Sequence, residues 1–419
     1  MENTNVLDII AHTLSLIDVR LIDHGKNVAL LTYNAMKAAG KYSDKEINDM
    51  CLIAVFHDIG AFKTDEITNL VAFDAENAWE HSVYGYLFIK HFSPLSYLAP
   101  VVLFHHTSLK YMDSVPEHYR ELAQILHIAD RMEIASRFGG MSTEMLAGYL
   151  TGSRQEVFSR ETLRLFFEFE NEEFMDHDEL WHQLGGIIKS REDINEYLKM
   201  LVLSIDFRSR HTVNHTVATA EFSRLISNFF NFSPKDAEYT TNGALLHDLG
   251  KAGIPTEILE NPGRLTDEEM SIMKTHVILT NQILKGRVNQ TVEKIASRHH
   301  EKLNGSGYPH GLSAAQLSLP ERIVAVADVL SALSGARSYK GVFPKDKVIS
   351  ILTEMAEDRQ IDRVVVQKIT ENYDALMAET AAATRPVTQN YEDLSSNYRR
   401  LLEDISVMRK TNHFQFGSF

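Results

Sequence analysis

Imidazole and carboxylate side chains recur along this chain in an order that suits divalent cations. The second half offers His215, then His247-Asp248, His276, His299-His300 and Asp328. A single helical histidine is usually a satisfied structural residue. Neutral imidazole nitrogens grouped around a carboxylate, whose two oxygens can bridge two ions, are a ligand set. Asp248 is the expected bridge, with His215 and Asp328 completing one ion and His276, His299 and His300 the other. Such a nitrogen-rich, carboxylate-bridged pair suits iron or manganese better than magnesium or calcium. Two adjacent cations activate water and clamp phosphoryl oxygens during in-line attack, so phosphoester hydrolysis is the expected chemistry.

The first half repeats the pattern as His24, His57-Asp58, His81, His105-His106 and Asp130. Local contexts repeat with it: AVFHDIG against ALLHDLG, and ILHIADRMEIAS against VAVADVLSALS. A second ordered set at similar intervals marks a duplicated domain.

The elements that carry these residues read as helices. VLDIIAHTLSLIDVRLIDHGKNVALLTYNAMKAAG, EINDMCLIAVFHDIG and AEYTTNGALLHDLGK place apolar residues at three- and four-residue steps. Gly40, Gly60 and Gly250 read as helix stops, and Ser43 and Ser233 as starts followed by acidic first turns. NGSGYPHG reads as a loop. The expected fold is all-α, with two tandem helical domains over residues 1–193 and 194–380. AAATRPVTQN reads as a linker, within a final segment 381–419 that closes with a helix. That helix carries Tyr391, Leu394, Tyr398, Leu401, Ile405 and Met408 on one stripe, expected to dock on its own domain rather than form a dimer seam.

With 419 residues, 44% hydrophobic and 24% charged, the chain has room for two or three ordinary cores. A formal charge of −15 argues against binding polymeric nucleic acid. One cysteine, Cys51 in the apolar run MCLIAVF, rules out an internal disulfide framework and reads as a buried structural thiol. The acidic N-terminus does not read as a signal peptide, and no apolar stretch has bilayer-spanning length, so a cytoplasmic location is expected.

The strings LLHDLGKAGIP, ILENPGRLTDEEMSIMKTH, HHEKLNGSGYPHGL and RIVAVADVLSAL, over about residues 206–343, resemble the HD-GYP family of the HD phosphohydrolase superfamily. An HD pair alone is weak; the Gly307-Tyr308-Pro309 loop after a double histidine makes the match specific. The resemblance implies an all-helical fold, two or three iron or manganese ions, and linearisation of a cyclic dinucleotide, chiefly cyclic di-GMP and in some members hybrid cyclic GMP-AMP. It implies that His215, His247, Asp248, His276, His299, His300 and Asp328 ligate metal and that Lys251 contacts the scissile phosphate. It further implies that Tyr308 faces substrate, that Gly305 and Gly307 let backbone approach it, that Pro309 stiffens the turn, and that Arg337 and Lys340 lie near the phosphates.

Three positions depart from the family pattern. His211 stands where members with three metals carry an acidic residue, one helical turn before His215; it either ligates a third ion or faces solvent. Asn304 replaces an aspartate, and Ser331 replaces the second aspartate after Asp328. The first repeat keeps its full ligand set, yet TSLKYMD follows His106 in place of a glycine-tyrosine-proline loop. Ala61 stands in place of the lysine, with Lys63 two residues on, and Arg20 precedes His24. A metal-bound regulatory or substrate-shaping domain is the favoured reading, ahead of a second phosphohydrolase and a degenerate structural partner. Two HD domains without a receiver domain resemble bacterial enzymes that linearise hybrid cyclic GMP-AMP. A cyclic dinucleotide receptor and an HD hydrolase of another nucleotide are the rival functions. The preferred dinucleotide, the general acid, homodimerisation and contact with a cyclic dinucleotide synthase stay open at this point.

Overall fold

The computed structural model describes residues 5–17, 23–62, 79–138, 148, 156–167, 175–208, 214–261, 263–335 and 343–411. His211, Arg337 and Lys340 lie outside the described residues, as do Arg20 and Lys63. Among the described residues the fold is carried by α-helices and short 3-10 turns, as expected, with one isolated antiparallel bridge between Asn304 and Ser313.

The two repeats share one plan. In the second, helix His215–Asn228 is followed by Pro234–Leu246, the 3-10 turn Leu249–Gly253, His276–Leu284, Gln290–Ser297 and Leu319–Ser334. The first runs His24–Ala39, Asp44–Phe56, the turn Ile59–Phe62, Trp79–Phe92, Ala99–Phe104 and Glu117–Phe138. The helix starts are built by their caps. Ser43 forms a capping box with Glu46, and Ser233 accepts a hydrogen bond from the Asp236 backbone.

Gly40 is a helix stop as expected, left-handed at φ 65° with its N–H on the Lys37 carbonyl. Gly60 and Gly250 are not stops of this kind. They sit in the 3-10 turns where a Cβ would lie 2.0 Å from the His81 carbonyl oxygen and 1.9 Å from that of His276. Glycine is needed there because the turn presses against the backbone of the next histidine-bearing helix.

A small apolar cluster ties the second repeat together: Ala220, Ala244, Ile295 and Val324, one from each of four helices that bear or lead into site residues. A Cβ on Gly243 would come 2.4 Å from Ile295 Cγ2, so a small residue sets this helix spacing.

The chain divides into two compact units, one of Met1–Ile17 with Tyr197–Tyr391, the other of Asp18–Glu196 with Glu392–Phe419. Each terminal segment is thus grouped with the repeat at the far end of the sequence, a division that differs from the three consecutive segments expected. Helix Val6–Ile17 buries Val6, Leu7, Ile9, Ile10 and Thr13, and packs on the Leu249–Gly253 turn and helix His276–Leu284.

The expected linker is helical: one helix runs from Tyr373 to Thr411 through Pro386. An interior proline costs about 3 kcal/mol. Burial of Val387, Leu394, Leu401, Ile405 and Met408 offsets that cost, and a local reading of proline cannot weigh such contacts. The part beyond Tyr391 belongs with the first repeat, where the Tyr398 ring stands 5.9 Å from Tyr84. The stripe is therefore divided: Tyr391 stays with the second repeat's unit, its ring 4.8 Å from Phe207, while Leu394, Leu401, Ile405 and Met408 belong with the first and are buried within one chain.

Candidate metal centres

His247 caps the end of helix Pro234–Leu246, and Asp248 opens the 3-10 turn behind it, so the pair sits where helical geometry breaks. His215 and His276 open their helices, His299 and His300 follow the end of Gln290–Ser297, and Asp328 projects from mid-helix. These seven residues come together. Asp248 Oδ2 lies 3.7 Å from His215 Nε2 and 3.0 Å from His247 Nε2, while its Oδ1 faces His276 Nε2 at 3.5 Å. Asp328 Oδ1 is 3.0 Å from His215 Nε2, and its Oδ2 faces His300 Nδ1 at 3.8 Å. His276 and His299 bring their Nε2 atoms to 3.3 Å. Two donor groups result, His215, His247 and Asp248 on one side and His276, His299 and His300 on the other, with Asp248 offering an oxygen to each.

The donors are prepared for a cation. His247, His276 and His299 each donate Nδ1–H to the carbonyl three residues back, at 2.6, 2.7 and 2.8 Å, which leaves the Nε2 lone pairs converging. His215 Nδ1 is 3.1 Å from the Ser331 hydroxyl, so the residue standing in for an aspartate still orients a ligand. Asp248 Oδ1 and His247 Nε2 are buried without a hydrogen bond, a lack that a divalent ion would make good.

Electrostatics agree. Burial opposes ionisation of Asp248, but His247 and Lys251 hold its carboxyl well below the usual range. Burial, with His276 beside it, pushes His300 down to about 4, leaving a neutral imidazole. Lys251 donates to Asp248 Oδ2 at 2.6 Å and is held from behind by Arg208, which donates to the carbonyls of Lys251 at 3.1 Å and Ala252 at 2.6 Å.

The glycine-tyrosine-proline loop closes over one side. The Tyr308 ring lies 4.8 Å from the His300 ring, with Lys274 Nζ 5.3 Å from its centroid. Glu301 organises the loop from within, accepting from the His310 and Leu312 amides at 2.7 and 2.8 Å. Gly305 needs its left-handed φ of 78°. Gly307 meets the loop's own backbone, since a Cβ there would be 2.4 Å from Lys302 N; this close approach is internal. Asn304 accepts from Ser306 and also donates its amide to the Asp358 carbonyl at 3.1 Å, a bond an ionised aspartate could not make. Arg208, Glu301 and Lys274 escaped the sequence reading; only the place of Glu301, directly after the double histidine, pointed to it.

The first repeat assembles its own set. Asp58 Oδ2 faces His24 and His57 at 3.7 and 3.4 Å, and its Oδ1 faces His81 and His105 at 3.6 and 3.8 Å. Asp130 Oδ1 lies 3.4 Å from His24 Nε2.

Residues 199–365 and residues 21–135 each match a family described as HD domain. HD phosphohydrolases are metal-dependent, and these His/Asp clusters are of a kind that can hold divalent ions. The chain is 28% identical over 405 residues to the 3′3′-cGAMP-specific phosphodiesterase 1 of Vibrio cholerae, covering 88% of this chain and 93% of that one. It is 37% identical over 163 residues to phosphodiesterase 3 of the same series, covering 38% and 35%. It is 36% identical over 172 residues to a cyclic di-GMP phosphodiesterase response regulator of Xanthomonas campestris, covering 40% and 46%. The chain therefore spans less than half the length of these last two. A crystal structure of a cyclic GMP-AMP-specific phosphodiesterase of Vibrio cholerae shares the fold, with a TM-score of 0.52 at 19% identity over 91% of this chain and 97% of that one.

Fold and site thus define an HD phosphohydrolase with two HD domains. Within that superfamily the second domain, with its Gly307-Tyr308-Pro309 loop, is similar to the HD-GYP family.

Proposed function

We propose that the second repeat hydrolyses one phosphodiester of a cyclic dinucleotide to a linear 5′-phosphorylated dinucleotide, ending a second-messenger signal. One observation carries this reading: a His/Asp cluster whose His215, Asp328 and His300 stay partly exposed is bordered by a lysine and a tyrosine loop. The relative matched over nearly its whole length, named as specific for 3′3′-cGAMP, supports a cyclic dinucleotide over other nucleotides. Hybrid 3′,3′-cyclic GMP-AMP and cyclic di-GMP are the substrates to test first.

His215, His247, Asp248 and Asp328 would hold one ion, and Asp248, His276, His299 and His300 the other; the nitrogen-rich donor set suits iron or manganese. Bound divalent ions supply an activated water and positive charge for the phosphoryl oxygens. Asp248 keeps its carboxylate ionised and shared between the two donor groups. Lys251, pinned on Asp248 by its own turn and by Arg208, places a cation beside the phosphoryl group as negative charge develops. Tyr308, stacked against His300, orients the dinucleotide over the cluster. Gly305 and Gly307 shape the loop that carries this tyrosine. Arg337 and Lys340 are assigned to the phosphates from their sequence positions, and His211 to a third ion.

Metal-loaded full-length chain incubated with cyclic di-GMP, hybrid cyclic GMP-AMP and cyclic di-AMP should linearise at least one of the first two; three intact substrates would sink the reading. His247→Ala with Asp248→Ala should abolish turnover while circular dichroism stays helical. Full activity in that variant would move the active centre to the first repeat.

A further inference from the structure

We propose that the first repeat is a closed metal centre that stabilises its unit and does not turn over nucleotide. Its donors are as well prepared as those of the second repeat. His57 and His105 donate Nδ1–H to the Ala54 and Val102 carbonyls at 2.7 and 2.6 Å, which turns both Nε2 atoms toward Asp58. Asp58 Oδ1 and His106 Nε2 are buried without a hydrogen bond. Asp58, Asp130 and Glu133 bring three buried carboxylates together; Arg131 pairs with Asp130, and the partly exposed Arg137 reaches Glu133 only at 3.5 Å. Divalent ions would balance that charge.

What differs is access at the partners of the central carboxylate, since the Asp58 side chain itself is 11% exposed against 5% for Asp248. The side chains of His215, Asp328 and His300 are 14%, 13% and 30% exposed, whereas those of His24, Asp130 and His106 are 6%, 2% and 4% exposed. The helix bearing the last aspartate explains the difference. Three before, one after and three after Asp328 stand Ala325, Val329 and Ser331; around Asp130 the same places hold His127, Arg131 and Glu133. Arg131 clamps Asp130 Oδ2 through Nε at 3.0 Å and Nη2 at 2.6 Å. Glu133 takes His24 Nδ1 at 2.6 Å. His127 packs edge-on against His106, its ring 5.5 Å from that of His106 and 4.8 Å from Phe158. Ala61, fully buried, stands at the place in the turn where Lys251 supplies a cation in the second repeat. Metal sites with every position walled by protein hold a fold together, whereas catalytic sites keep a position open.

The test uses the full chain with His247→Ala and Asp248→Ala, stripped with chelator and titrated with Co2+. Bound cobalt is counted after desalting, and melting is followed by circular dichroism. The variant should take up cobalt and melt roughly 5 °C or more higher with it. Adding His105→Gln, a milder change than removing the HD pair, should lower uptake while the apo protein stays helical. No uptake, uptake without a change in melting, uptake unaffected by His105→Gln, or linearisation of a cyclic dinucleotide by the first variant would each overturn the proposal.

Discussion

Lys251 shows how much one side chain can do once its surroundings fix it. Its ammonium sits 2.6 Å from the shared carboxylate, and its turn is tied to Arg208. Lys251→Met keeps the length and removes the charge. It should lower kcat by about 10²-fold, the scale of losing one preorganised donor at a developing phosphoryl charge, with metal content by elemental analysis unchanged. A loss of metal instead would make the lysine a support for Asp248 rather than a partner of the substrate. At this scale the sequence was readable where chemistry comes in ordered sets: the histidines and aspartates of each repeat converge as their order implied. Arg208 and Glu301 were not readable, because a lone charged residue looks solvated until the backbone groups it bonds come close. The reading of Gly307 as room for a ligand missed the loop's own backbone, 2.4 Å from where a Cβ would stand.

Among the elements, the 3-10 turn after each HD pair sets how near the next histidine helix can lie. The Gly250 amide donates to Thr280 Oγ1 at 2.9 Å, and the Thr280 hydroxyl donates to the His247 carbonyl at 3.0 Å, so the turn and helix His276–Leu284 are locked together. Gly250→Ala forces a methyl group into the His276 carbonyl and should cost about 2–3 kcal/mol, read from the urea midpoint. It should also weaken metal binding, because the helix that presents His276 must move. A sequence announces caps such as Ser43 and Ser233 through nearby residues. It does not announce that a glycine is small for the sake of a helix 26 positions on, as Gly250 is for His276. The helical continuity through Pro386 was hidden for the same reason, since distant burial decides it.

For the whole molecule, the two compact units each include a segment from the opposite end of the sequence. Periodicity made Val6–Ile17 legible as an amphipathic helix but carried no sign of its partner. Ile10 is fully buried there, so Ile10→Ala should destabilise the second repeat's unit by about 2–4 kcal/mol. The measurement is denaturant unfolding followed together with phosphodiesterase activity. Activity should be lost at the lower denaturant concentration, although residue 10 lies more than 200 positions from the ligands in sequence.

The grouping of those end segments also bears on how the protein comes into being on the ribosome. Helix Val6–Ile17 is synthesised well before the turn and helix it covers, residues 249–284, which follow more than 200 residues later. At ~5–20 residues per second, its apolar face waits for on the order of tens of seconds. The first repeat's unit waits in turn for residues 392–411. The second repeat's unit closes only when residues up to 391 have emerged and the first repeat's unit later still, so nascent chains stalled midway should bind chaperones that recognise exposed apolar helices.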